Sequence, residues 1–110
     1  MELLLNRREN PRISLMQSIE FAVTTSFEHA VLKTLGTGGL CFVTSAPPQV
    51  GRQLLLRFEI PGHDQVIHAI GVIVWSRPVN AQHAEVGIRF IGLREDSLDR
   101  LRQLCQAGAA

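Results

Sequence analysis

Hydrophobic and polar residues alternate along most of this chain with the two-residue period of half-buried strands. In "SIEFAV", residues 18–23, apolar Ile19, Phe21 and Val23 alternate with Glu20 and Ala22. "HAVLKTL", residues 29–35, runs into "GTGG" at 36–39, and "LCFVT" follows at 40–44. The pair predicts a hairpin whose glycines allow positive φ, Gly36 among them. "SAPPQVG", residues 45–51, predicts a loop, because tandem prolines cannot donate to a strand ladder. A strand is expected over 52–60, "RQLLLRFEI", with a turn at "PGHD", 61–64. "VIHAIGVIVW", residues 66–75, is long and β-branched, and Gly71 interrupts it as at a barrel bend. After a turn in "SRPVNAQ", 76–82, the last strand is "AEVGIRFI", 84–91.

The period then changes. "REDSLDRLRQLCQ" places Leu98, Leu101, Leu104 and Cys105 on one face at helical spacing, predicting a helix near 95–106. Asp96 or Ser97 is the expected N-cap, and Glu95, Asp96 and Asp99 suit the positive end of the helix dipole. Five or six short strands and one closing helix predict a mainly β fold. The expected architecture is a small six-stranded antiparallel β-barrel whose open end is plugged by a C-terminal α-helix.

Composition changes this picture little. The chain has 110 residues, enough for one domain, with 45% hydrophobic and 19% charged residues. Lys+Arg of 11 against Asp+Glu of 10 lacks the basic excess of a general polyanion binder. Lys33 is the single lysine, so ten of the 11 basic residues are arginine, whose rigid fork suits bidentate recognition. "MELLLNRR" has the wrong order and length for a signal peptide, and no apolar run approaches a membrane span. Cys41 and Cys105 lie far apart and are expected to be reduced core thiols of a cytoplasmic protein.

No catalytic or metal site emerges. His29, His63, His68 and His83 are scattered without ligand spacing, and capping accounts for Glu95 and Asp96. No serine or cysteine has the context of an activated nucleophile, so no enzyme, metal or resident cofactor is expected. "GTGG" opens a strand, whereas a phosphate cradle opens a helix. Single-stranded nucleic acid would need aromatic platforms beside a basic groove, yet Phe21, Phe42, Phe58 and Phe90 fall on inward positions.

The remaining chemistry is "NRRENPRI", residues 6–13, which gathers Arg7, Arg8 and Arg12 ahead of the barrel. Such a run is either solvated or a fork for a planar, anionic partner. Pro11 steers Asn10 away from helix, so the segment is extended or turned and Arg8 and Arg12 can approach a ligand from two sides. Guanidinium groups match the O6/N7 edge of guanine, pair with phosphate and stack on bases. The expected organisation is an N-terminal arm over 1–12, mobile without ligand, and a barrel with its helix over 13–110.

With these elements in place, the chain resembles the PilZ domain family over about residues 6–106. "RRENPR" matches the family's RRxxxR motif through Arg7, Arg8 and Arg12, and "GVIVWSRPVNAQHAEVGIRFIGL" is similar to its last two strands. The resemblance implies a receptor for the bacterial second messenger cyclic di-GMP, with Arg8 and Arg12 gripping guanine edges and phosphates and Arg7 in support. It also implies a second ligand-binding motif, [D/N]-x-S-x-x-G, which falls on "TLGTGG". There Thr34 replaces the acid or amide, Gly36 replaces the serine, and Gly39 is kept. Losing one or two hydrogen bonds at roughly 1–3 kcal/mol each weakens binding by about ten- to several-thousand-fold. The family also has members that have lost the ligand and act through protein contacts. The alternative is therefore an adaptor for a protein of the motility or secretion machinery. Either way, output is expected through a protein partner or a homodimer, without nucleic acid or membrane insertion.

Overall fold

The computed structural model describes residues 12–23, 27–45, 47–60 and 66–109, the side chains of Arg12 and residues 107–109 excepted. Six strands follow in chain order: β1 (Arg12–Ala22), β2 (Glu28–Gly36), β3 (Gly39–Thr44), β4 (Gln53–Glu59), β5 (Val66–Pro78) and β6 (Ala84–Leu93). The helix α1 (Glu95–Ala109) closes the chain. The strands form a closed barrel in the order β1-β2-β3-β6-β5-β4, every pairing antiparallel. The closing seam is short, pairing Glu20, Phe21 and Ala22 of β1 with Arg57, Leu56 and Leu55 of β4. The expected β-barrel with one C-terminal helix is the fold observed.

The two-residue period sorts side chains as the sequence implies. On β4, Leu54, Leu56 and Phe58 are buried while Leu55 and Glu59 face out. Inside, Phe21 and Phe42 stack with ring centroids 4.8 Å apart, among Ile19, Leu32, Leu35, Leu40, Ile67, Ile73 and Ile88. Each such side chain contributes roughly 1.5–3 kcal/mol when fully buried. The bend expected at Gly71 is a register shift between Ile70 and Gly71. A Cβ at Gly71 would meet the side chains of Ile88 and Leu56, so only glycine lets the strand fold inward there.

Several boundaries differ from those expected. β1 begins at Arg12, six residues before "SIEFAV", because Ile13, Leu15 and Gln17 continue its inward phase. Polar Gln17 disguises that phase, its Nε2 donating to the Glu59 carbonyl at 2.6 Å. β5 runs three residues past Trp75, held by cross-strand pairing of Ser76, Arg77 and Pro78 with Val86, Glu85 and Ala84. Neither Asp96 nor Ser97 caps α1. Leu98 N–H donates to the Arg94 carbonyl at 2.9 Å, so the helix starts a residue or two earlier, and Asp96 instead accepts from Ser97 N–H.

The hairpin between β2 and β3 uses no left-handed residue. Among the described residues Gly51 alone has positive φ, at 94°, in the loop that carries the chain from β3 to β4. That loop is pinned where Gly51 N–H donates to the Ile73 carbonyl and Ile73 N–H to the Arg52 carbonyl. The helix packs on β1 and β2. Leu101 is fully buried in the core with Leu104 against it, and Cys105 Sγ donates to the Leu35 carbonyl at 3.6 Å. Burial pushes the Cys105 thiol pKa up, so it is an inert packing group.

Candidate functional site

Two β-bulges turn one strip of the barrel outward. On β2 the register shifts between Leu32 and Thr34, so Leu32 and Leu35 both face the core and Thr34 faces out. On β5 it shifts between Ile73 and Trp75, leaving Ile73 buried and Trp75 38% exposed. Bulges of this kind re-aim side chains. Across the strands the pairing then reads Ser14–Thr34–Cys41–Gly87–Trp75, a row spanning five of the six strands. Beside it runs a second row, Val43–Glu85–Arg77.

Thr34, Cys41, Trp75, Arg77 and Glu85 together line one open pocket of ≈ 400 Å³. Gly87 stands opposite Trp75, and a Cβ there would run into the indole Nε1 and Cε2. The ring therefore lies directly over β6, and the Arg77 guanidinium sits 5.7 Å from its centroid. Arg77 also closes on Glu85 Oε1, from Nη2 at 2.9 Å and Nε at 3.3 Å. Cys41 Sγ donates to the other oxygen, Oε2, at 2.7 Å. These bonds, the thiol's first, hold the Glu85 carboxyl pKa below its usual value against the opposing effect of burial. Cys41 is buried, as expected, but it belongs to this outer pocket and not to the core.

The site residues implied by the resemblance divide into three groups. Arg7 and Arg8 lie outside the described residues, as does the proposed mobility of the arm. Arg12 opens β1 with its Cα opposite Gly36, so the first residue of the strand lies beside the β2–β3 turn. Thr34 lies in the pocket; Gly36 and Gly39 flank the turn at its end. Gly39 has a packing reason of its own, since a Cβ there would collide with the Ile88 carbonyl of β6. It also pairs with Arg89, whose exposed side chain adds a second cation beside the turn. Trp75, Arg77, Glu85 and Cys41 were not legible as site residues, because strand pairing and not sequence spacing brings them to Thr34.

Other chemistry does not converge. Arg57 Nε donates to Glu20 Oε1 at 2.7 Å, lowering that carboxyl's pKa, and His29 Nε2 lies 3.6 Å from Glu20 Oε2. His68 is exposed, His83 leans on Asn80, and His63 lies outside the described residues. Among the described residues no group of three or more His, Cys, Asp or Glu could hold a metal ion. No described helix is long and apolar enough to cross a membrane.

Comparison with known proteins decides the family. The model of the PilZ domain matches residues 6–107. The chain belongs to the PilZ domain family. Solved structures agree on the fold. The PilZ domain of Escherichia coli YcgR with c-di-GMP superposes with a TM-score of 0.70 at 15% identity, covering 94% of this chain and 92% of that one. The Bacillus subtilis inhibitor of motility, MotI/DgrA, gives 0.82 at 15% identity, over 94% of this chain and 51% of its own. Borreliella burgdorferi PlzA in complex with c-di-GMP gives 0.65 at 15%, over 86% and 39%. This PilZ domain thus spans about half of the motility inhibitor and less of PlzA. A search of curated proteins finds no match.

Proposed function

We propose that this PilZ domain is a non-enzymatic receptor for cyclic di-GMP, with reduced affinity, that passes the signal to a protein partner in the bacterial cytoplasm. The observation that carries the reading is the register of β1 on β2. Arg12 lies opposite Gly36, two residues along β2 from Thr34 and its pocket. Arginine forks entering there meet a surface that already offers an indole plane, a hydroxyl and a carboxylate. A guanine base uses all three, and the phosphates use the guanidinium groups. Two buried cysteines outside any disulfide suit a reducing compartment. Among the neighbours, c-di-GMP is named with YcgR and PlzA, which supports the ligand class for this chain.

A second reading, a ligand-independent adaptor, is favoured by Thr34 and Gly36, which withdraw a carboxylate or amide and a hydroxyl from the second motif. Binding measured by fluorescence anisotropy separates the two. Replacing Arg8 or Arg12 with alanine abolishes cyclic di-GMP binding in the receptor reading and leaves the melting temperature nearly unchanged. Lysine at either position restores little, because an ammonium cannot make a planar two-point contact. Full rescue by lysine reduces the arginine motif to simple charge, and wild-type protein that never binds rejects the receptor reading.

A further inference from the structure

Glu85 gives the pocket an ionised acceptor that neither the arginine motif nor "TLGTGG" supplies. It sits on β6 directly across from Arg77, with its side chain 14% exposed and its carboxylate in the same pocket as Thr34 and Trp75. Arg77 occupies Oε1 and the Cys41 thiol Oε2. A carboxylate offers about four lone-pair sites, so acceptor capacity remains on Oε2. Arg77, its side chain 67% exposed, has room to turn from Oε1 toward an incoming base or phosphate.

An anionic acceptor beside an indole plane selects one kind of base. Guanine presents two adjacent donors, N1–H and N2–H, along one edge, and a carboxylate takes both. Adenine presents an acceptor at N1, which a carboxylate repels. Thr34 has one hydroxyl and no charge with which to make this distinction.

We infer that Glu85 takes over the guanine-edge contact that Thr34 cannot make, and so determines the base specificity of this surface. The inference rests on the cyclic di-GMP reading above. Its competitor is a purely structural role, a cross-strand ion pair with Arg77 of the kind that contributes little at a protein surface.

The experiment titrates wild type, Glu85→Gln and Arg77→Ala with cyclic di-GMP and with cyclic di-AMP. Glu85→Gln keeps the shape and loses the charge. It is expected to weaken cyclic di-GMP binding roughly 10- to 150-fold without weakening cyclic di-AMP, so the preference collapses. Arg77→Ala breaks the same ion pair but keeps the carboxylate. It is expected to weaken both nucleotides alike and preserve the preference for guanine. An ion-pair role makes the two variants behave identically, which overturns the inference. Glu85→Gln with its guanine preference intact overturns it too, and leaves the receptor reading standing. Wild type that binds neither nucleotide overturns both.

Discussion

Gly87 and Gly39 are both closed in, but by different kinds of atom, and that difference sets two opposite outcomes. In Gly87→Ala the three atoms nearest the new Cβ all belong to the Trp75 ring, with Nε1 and Cε2 in hard overlap and Cδ1 at 2.8 Å. Ordinary Cβ contacts begin near 3.4 Å, and the ring is already 38% exposed, so it lifts outward and the strands stay paired. The stability cost then falls at the low end of overpacking, about 1 kcal/mol. In Gly39→Ala the Cβ meets the Ile88 carbonyl of β6, which cannot move without breaking the β3–β6 ladder. That variant should lose about 3 kcal/mol or more in urea unfolding. Trp75 is the chain's single tryptophan, so fluorescence reports this ring alone. Gly87→Ala should shift its emission to the red and increase quenching by acrylamide. If the indole stacks on a guanine base, the displaced ring also costs roughly 1–3 kcal/mol of binding, about 5- to 150-fold in affinity. Unchanged emission in Gly87→Ala, or Gly39→Ala as stable as wild type, would refute the close-approach argument.

Three further outcomes follow from the geometry. In the Glu85→Gln background, Thr34→Asp should tighten cyclic di-GMP binding by restoring a carboxylate to the pocket, and adding Gly36→Ser should tighten it again. Gly36 is not at positive φ, so serine brings no left-handed strain there; weaker binding by both variants would contradict the motif account. Leu101→Ala removes a fully buried side chain from the helix face that closes the barrel, and should cost about 2–5 kcal/mol by urea denaturation; a loss under ~1 kcal/mol would show that α1 is not part of the core. Glu85 has its folded pKa lowered below the ordinary 4.5, so its stabilisation is complete above that value and disappears as pH falls through the lowered one. The stability gap between wild type and Glu85→Gln should therefore be widest near neutrality and close in acid, and a gap constant from pH 7 to 3 would contradict it.

Much of the barrel was legible because strands such as β4 keep one face wet, whereas β3 is buried along almost its whole length. Leu54, Leu56 and Phe58 declare β4 by alternation alone, and Leu101 and Cys105 declare the helix by their spacing. Legibility fails where polar groups sit inside the pattern or backbone pairing takes over. Gln17 hides the first half of β1 because its amide is satisfied by a backbone carbonyl of the β4 strand. The cap of α1 was misplaced because Arg94, a poor side-chain cap, supplies only its carbonyl. The site was legible as far as its motifs are local: Thr34, Gly36 and Gly39 can be read within six residues. Glu85 and Trp75 are ten residues apart in sequence and reach Thr34 only through the register of β3 on β6 and β6 on β5. Two bulges set that register, and no sequence period encodes them.

The most direct test of the receptor account is a nuclear magnetic resonance titration of the ¹⁵N-labelled protein with cyclic di-GMP. The account predicts saturable shifts of the Trp75 indole N–H and of the Gly36, Thr37, Gly39 and Gly87 amides, which lie along one outer strip from the β2–β3 turn to β5. Spectra unchanged up to about millimolar ligand, a binding free energy weaker than roughly 4 kcal/mol, would contradict it. So would shifts confined to the apolar groove of Phe27, Leu55 and Ile70.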